Sequence, residues 1–316
     1  MSAAHSDHVY TVAQTSAAAS SPIAASWRRC LTLYGLQPEE TRAPMRLTEA
    51  EFRHACDHAG HLLPEAEAEL DRLFAVVGRS GCCLLLTDEN GVALDRRGSP
   101  SDDKDFRGLG LWSGTLWSEA CIGTNGIGTA IADERPVIIH RDQHFLSRNT
   151  GLSCATAPIR DHRGRITAAL DISTCREDAS DATISILSQA VRDAAGRIEA
   201  NLFRRAFEDA RILWVPAAAG RSAPALIAVD RDDLVLGATR AARLALNIDD
   251  RRIEAGIPAG DLLNEAPREG EDLPDAERAA LRRVLSRAGG NVSAAADILG
   301  ISRATLYRKM KKLALN

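Results

Sequence analysis

The chain has 316 residues, of which 45% are hydrophobic, 26% charged and 4% aromatic, and its net charge at pH 7 is −4. That length allows two globular domains and a smaller third, and the composition excludes a disordered or fibrous chain. No run approaches the ~18 apolar residues of a membrane span and the N-terminus lacks the basic-then-apolar order of a secretory signal, so a cytoplasmic location and no membrane partner are expected.

Residues 1–20 are rich in Ser and Ala with few large apolar side chains, and are expected to be disordered. Residues 21–80 read as helices: one from Ser21-Pro22 to Tyr34, stopped by Gly35; one from Thr48, with Glu51 completing a capping-box pattern, to about Leu63; and one from Pro64 to Val77. On the second helix His54, His58 and His61 would fall at i, i+4 and i+7 on one face, a metal-capable spacing that is more simply a wet histidine face; no metal is assigned.

At Gly81 the period changes. Cys82–Asp88, a turn at Glu89-Asn90-Gly91 and Val92–Arg97 read as a hairpin, and Pro136–His140, Cys154–Arg160 and Arg165–Ser173 as three more strands, with a helix over Asn125–Ala132. Residues 81–211 are thus expected to be an α+β domain, an antiparallel sheet flanked by helices, closed by a long helix over about 180–211. That helix carries an apolar stripe, Ile184, Leu187, Val191, Ala194, Ile198 and Leu202, which suits its own sheet or, over its later half, a seam with a second copy. Residues 223–263 give a strand-turn-strand-helix piece like the opening of a PAS-type fold, and 264–274 a linker.

The cysteines, seven in all and without repeated spacing, are expected as free thiols. An exposed one among Cys82, Cys83, Cys121 and Cys154 would suit an oxidant sensor.

Residues 275–316 hold nine Lys or Arg against three acidic residues, a net of +6, which leaves −10 for residues 1–274. Only this tail is built to meet phosphates. It divides into a small all-α unit: a helix with Leu281, Val284, Leu285 and Ala288 on one face, ended by Gly289-Gly290; a second capped by Asn291; a turn at Gly300; and a third capped by Ser302. On the third, Leu306, Met310 and Leu313 form a buried stripe, while Ala304, Arg308 and Lys311 lie opposite, flanked by Thr305, Tyr307 and Lys312, with Arg303 at the exposed end. A small residue among hydroxyls and cations suits close approach to a groove. The expected DNA-binding set is Ser302, Arg303, Ala304, Thr305, Tyr307, Arg308, Lys309, Lys311 and Lys312.

The segment from Gly290-Asn291-Val292-Ser293 through Leu299-Gly300-Ile301-Ser302-Arg303-Ala304-Thr305-Leu306-Tyr307-Arg308-Lys309 resembles the Fis-type helix-turn-helix. The glycine segment Cys121-Ile122-Gly123-Thr124-Asn125-Gly126-Ile127-Gly128-Thr129-Ala130 reads first as close helix-on-sheet packing. Together with Ser26–Cys30, Leu86-Thr87-Asp88, Arg135-Pro136-Val137, His144-Phe145 and Ala157-Pro158-Ile159 it resembles the N-terminal GAF-type sensor of the acetoin-catabolism and dihydroxyacetone-kinase operon regulators. The resemblance implies a transcription regulator, no catalytic residues, and partners that include an operator duplex, a small-molecule or protein signal, a second copy and RNA polymerase. Trp112, Trp117, Cys121, Asn125, Thr129, His144, Cys154 and Asp171, in or beside the glycine segment and on facing strands, are the candidate ligand-binding residues. Most acetoin-type regulators carry a central ATPase, but this sequence contains no Gly-x-x-x-x-Gly-Lys-Ser/Thr loop, so no nucleotide cofactor is expected. The rival readings are a redox- or metal-sensing regulator, an adaptor that tethers another protein to DNA, and a GAF-type thiol-dependent reductase.

Overall fold

The computed structural model describes residues 2–41, 44–216, 223–231, 234–263, 277–278, 280–281, 284–285 and 288–315. They form two compact units, 1–256 and 257–316; the expected linker 264–274 lies outside the described residues.

The first unit is built on a five-stranded antiparallel sheet of order β2-β1-β5-β4-β3, comprising β1 (Cys82–Asp88), β2 (Ala93–Arg97), β3 (Val137–His140), β4 (Ser153–Arg160) and β5 (Ile166–Thr174). The β1–β2 turn is fixed by Asp88, whose carboxylate accepts from the backbone N–H of Asn90 and Val92 at 2.9 and 2.8 Å, while Gly91 supplies φ 86°. Both faces of the central strands are covered: β1 is buried along all seven residues and β4 along all eight. One face carries α4 (Leu62–Val77) and α8 (Asp181–Ala206). From α4, Ala66, Leu70, Leu73 and Val77, and from α8 the stripe Ile184, Leu187, Val191, Ala194 and Ile198, join Leu84, Leu86, Ala155 and Ile172 in one core. The apolar stripe of α8 is therefore spent on the chain's own sheet, and the seam expected over its later half is closed within the chain.

The other face carries α2 (Pro22–Thr32), α5 (Asp103–Leu109), the short α6 (Glu119–Ile122) and α7 (Gly126–Ala132), with Trp27, Phe106, Trp117, Ile127 and Phe145 meeting Cys83, Leu85 and Cys154.

Three expectations are corrected. Residues 1–20 are not disordered: Ser2–Gln14 form α1, with Val9 fully buried and Ala13 nearly so, His5 and His8 edge-on to Trp27, and Arg28 Nε donating to the Ala13 carbonyl at 3.0 Å. A few apolar side chains suffice here because Trp27 gives them a surface to cover. The single helix expected over 48–63 is two: α3 (Glu49–His58) carries the capping box of Thr48 and Glu51, then Gly60 at φ 54° breaks the path, so that His61 precedes α4 and leaves the face of His54 and His58. Among the described residues no three His, Cys, Asp or Glu side chains are grouped to hold a metal. Finally, the long helix stops at Ala206, where Phe207 turns its ring onto Phe203 (centroids 4.9 Å apart), and Arg211–Trp214 form a strand instead.

That strand, β6, pairs with β7 (Leu226–Val229), which pairs with β8 (Val235–Ala238), in a three-stranded antiparallel sheet followed by α9 (Arg240–Leu246) and α10 (Asp250–Glu254). The end of α8 covers this sheet through Ala200 and Phe203 against Leu226 and Ala228. No helix among the described residues is long and apolar enough to cross a membrane.

In the second unit the helix Ala259–Leu262 is followed by Val292–Ile298 and Arg303–Lys312. Asn291 Oδ1 accepts from the N–H of Ser293 and Ala294 at 3.0 and 3.2 Å, Gly300 turns the chain at φ 64°, and Ser302 Oγ accepts from Thr305 N–H at 3.1 Å. Leu281, Ala295, Ala296, Leu306, Met310 and Leu313 form its core.

Candidate functional site

The Arg303–Lys312 helix buries Leu306 and Met310 and exposes Arg303, Ala304, Tyr307, Arg308, Lys311 and Lys312, with Thr305 half-buried beside its cap. Arg308, Lys311 and Lys312 lie on the side away from the core because 3.6 residues per turn separate them from the Leu306-Met310 stripe, whereas Arg303 is exposed because it is the first residue of the helix. The Arg303 guanidinium lies 5.6 Å from the centre of the Tyr307 ring, which holds both at the start of the exposed face. Lys309 differs from its neighbours: it is half-buried and ion-paired with Glu277, whose carboxyl the ammonium holds below its usual range. Among the described residues, Lys309 is the one cation of the expected DNA-binding set that is paired with an acid of the unit itself.

The eight candidate ligand residues fall into three places. Trp112 is half-buried between two guanidiniums, Arg107 at 3.9 Å and Arg96 at 4.2 Å from its ring centre. Trp117 is buried, its indole N–H shared by the Gly110 carbonyl and Thr115 Oγ1, both at 3.1 Å. Cys121 is half-buried on α6.

Asn125 and Thr129 are buried at the start of α7. Asn125 Oδ1 caps the helix by accepting from Gly128 N–H at 2.9 Å, and Thr129 Oγ1 donates to Glu119 Oε1 at 3.0 Å. Glu119, which the sequence did not single out, is 3% exposed and is the hub of this cluster: it also accepts from Ser26 Oγ at 2.5 Å and from Arg29, whose Nε and Nη2 reach its two oxygens at 2.5 and 2.9 Å. A buried carboxylate is tolerable only with such partners, and this one ties α2 to α6 and α7. Its only sequence signal was an acid inside an otherwise apolar and small-residue stretch.

His144, Cys154 and Asp171 come together as one buried chain across β4 and β5. His144 Nδ1 donates to the Arg141 carbonyl at 3.0 Å, leaving Nε2 as an acceptor 3.5 Å from Cys154 Sγ; Cys154 Sγ is 3.1 Å from Ser173 Oγ, which donates to Asp171 Oδ2 at 2.6 Å, and Thr156 Oγ1 donates to the other oxygen. Burial pulls His144 down to about 4 and pushes Asp171 up to about 6. The Cys154 thiol is pushed well above its usual value by burial and by the Asp171 charge. Burial likewise raises Cys83 well above and Cys82 to about 11. Thiols held protonated and out of solvent are poor nucleophiles, so Cys82, Cys83 and Cys154 are ill placed for thiol chemistry. The glycines serve packing: a Cβ on Gly126 would lie 2.7 Å from Asp171 Oδ1 and closer still to Thr156 Oγ1, so only glycine lets α7 sit on this chain of hydrogen bonds.

Residues 2–199, well over half of the chain, match the family described as "MimR, N-terminal domain". The chain belongs to that family. After the MimR-type domain, residues 272–313 match "Bacterial regulatory protein, Fis family". The chain is 32% identical over 224 residues to the acetoin catabolism regulatory protein of Cupriavidus necator, a match covering 70% of this chain and 34% of the relative. It is 28% identical over 187 residues to the propane 2-monooxygenase operon transcriptional activator MimR of Mycolicibacterium smegmatis, covering 58% of this chain and 30% of that protein. The chain thus spans about a third of the length of these relatives. Among solved structures, the E. coli DhaR(N)–DhaL complex shares the fold of the MimR-type domain, at a TM-score of 0.51 and 21% identity over 72% of this chain and 76% of that one. The antiparallel sheet flanked by helices and the Fis-family helices are the two parts expected from the sequence.

Proposed function

We propose that this protein is a DNA-binding transcription regulator whose Fis-type helix-turn-helix reads an operator and whose MimR-type domain receives a small-molecule or protein signal. It works in the cytoplasm, as a homodimer, by occupancy of DNA and contact with RNA polymerase rather than by ATP hydrolysis, and is not an enzyme. The observation that carries this reading is the Arg303–Lys312 helix, capped by Ser302 and packed through Leu306 and Met310, which leaves Arg303, Ala304, Arg308, Lys311 and Lys312 exposed. That is the arrangement of a helix entering a major groove: cations for phosphates and a small residue for close approach. The relatives' names, a catabolism regulatory protein and an operon transcriptional activator, support it. The absence from this sequence of a phosphate-binding Gly-x-x-x-x-Gly-Lys-Ser/Thr loop supports action without ATP hydrolysis.

The test is selection of random DNA duplexes by the full chain and by a chain ending at residue 274. The full chain should enrich one sequence, with affinity falling steeply as salt rises, and the shortened chain should enrich none. Equal enrichment by both would overturn the assignment.

A further inference from the structure

A cleft of about 340 Å³ opens between the five-stranded sheet and the module that follows it. That volume lies in the range of small-molecule sites. Pro136, Ala157, Pro158, Ala195 and Leu244 give it an apolar lining, and Arg135, Arg160, Arg192 and Arg240 bring four guanidiniums to it, of which Arg135 is paired with Asp133 at 2.9 Å. Its walls are held in register. Gly164, in the β4–β5 turn, is close enough to α9 that a Cβ there would touch Arg240 and Arg243, and the His162 ring lies edge-on to Phe207 at 5.8 Å.

The charges are not balanced. Arg160 is buried and fixed, donating to the carbonyls of Glu134 and Gly164 at 2.8 and 3.1 Å and pairing with the Glu134 carboxylate at 3.3 Å. Glu199 Oε1 is occupied by the Arg160 backbone N–H at 2.8 Å, and desolvation pushes its carboxyl up to about 7, which weakens it as a counter-charge. Arg240 acts on Arg160 as a like charge, second only to burial in lowering its pKa. Neither Arg192 nor Arg240 has a hydrogen bond or ion pair among the described residues, and both are exposed at the mouth. Two unpaired cations above an apolar floor, next to two that are already satisfied, lack an anion.

We propose that this cleft binds a small organic carboxylate, its apolar body against Pro136, Pro158 and Leu244 and its carboxylate bridging Arg192 and Arg240. None of His144, Cys154 and Asp171 lines the cleft, so it is a site distinct from the expected ligand residues. A bound acid would tie α8 to α9. Its role as the sensed signal rests on the regulator reading above, whereas its binding does not.

The experiment uses the full chain, with melting temperature and calorimetric titration against benzoate, hexanoate, the matched benzamide and hexanamide, and inorganic phosphate. The carboxylates should raise the melting temperature in a concentration-dependent way and the neutral amides should not. Arg192→Gln and Arg240→Gln, both at exposed positions, should each weaken carboxylate binding roughly tenfold or more while leaving the unliganded melting temperature in place, since each removes one charge-assisted hydrogen bond. No shift with either carboxylate, equal shifts with amides or phosphate, or undiminished affinity in both variants would each overturn the site. Carboxylate binding in a protein that selects no duplex would overturn the regulator reading and leave the site standing.

Discussion

Arg308 and Lys311 project from the Arg303–Lys312 helix with no acidic partner recorded among the described residues, while Lys309 is paired with Glu277. The free pair is therefore the better phosphate anchor. Arg308→Ala and Lys311→Ala should each weaken operator binding and flatten the logarithmic salt dependence by about one unit of slope, whereas Lys309→Ala should act mainly on the stability of the unit. Fluorescence anisotropy at several salt concentrations separates the two effects; an unchanged slope in both former variants would remove them from the interface. The wheel of this helix was legible because its period is local. The Lys309–Glu277 pair was not, since it joins positions 32 apart in sequence.

Asp171 gives a second residue-scale prediction. Its folded pKa, about 6, lies above that of an exposed carboxyl, so the folded state holds the proton more tightly and the cost of burying the charge grows as pH rises from about 4 to about 6. Asp171→Asn carries no such charge. Its stability relative to the parent should therefore climb over that interval and level off above it, as read by urea unfolding at pH 4.5, 6 and 7.5. A difference independent of pH would show that Asp171 does not titrate there. The eight ligand candidates were chosen as residues in or beside the glycine segment and on the strands expected to face it, and that choice could not show that their polar atoms satisfy one another, because β4 and β5 meet only in the folded sheet.

At the scale of elements, α7 depends on Gly126. Gly126→Ala would drive a methyl group onto Asp171 and Thr156, which belong to rigid strands, so the helix must lift. The expected cost is on the order of 1–3 kcal/mol, measurable as a lower urea midpoint with an unchanged slope; a neutral effect would mean that α7 does not rest on the sheet as described. Elements with local punctuation were the readable ones: Ser21, Thr48, Ser180, Asn291 and Ser302 all cap helices through their side chains. Those missed have their causes at a distance. Ser2–Gln14 is held by Trp27, and Arg211–Trp214 becomes a strand because Leu226–Val229 offers its edge. The helix break at Gly60 was written in the sequence but lost beneath an unbroken apolar pattern.

On the scale of the first unit, α8 touches both sheets: Ile184 to Ile198 lie on the five-stranded one, Ala200 and Phe203 on the three-stranded one. Phe203 is 1% exposed, and Phe203→Ala should cost about 3–5 kcal/mol by the cavity it leaves. Loss of the second sheet's protection in hydrogen exchange, with that of the first retained, would place the damage where the contact is; uniform loss would contradict it. The 26 residues of α8 make a rod roughly 39 Å long. Gripped at both ends, such a rod behaves as a seesaw: a tilt on the order of 5° at one sheet becomes a sideways step on the order of 3 Å at the other, enough to reseat side chains. Two sheets that share no strand are in this way geared to one another by a single helix.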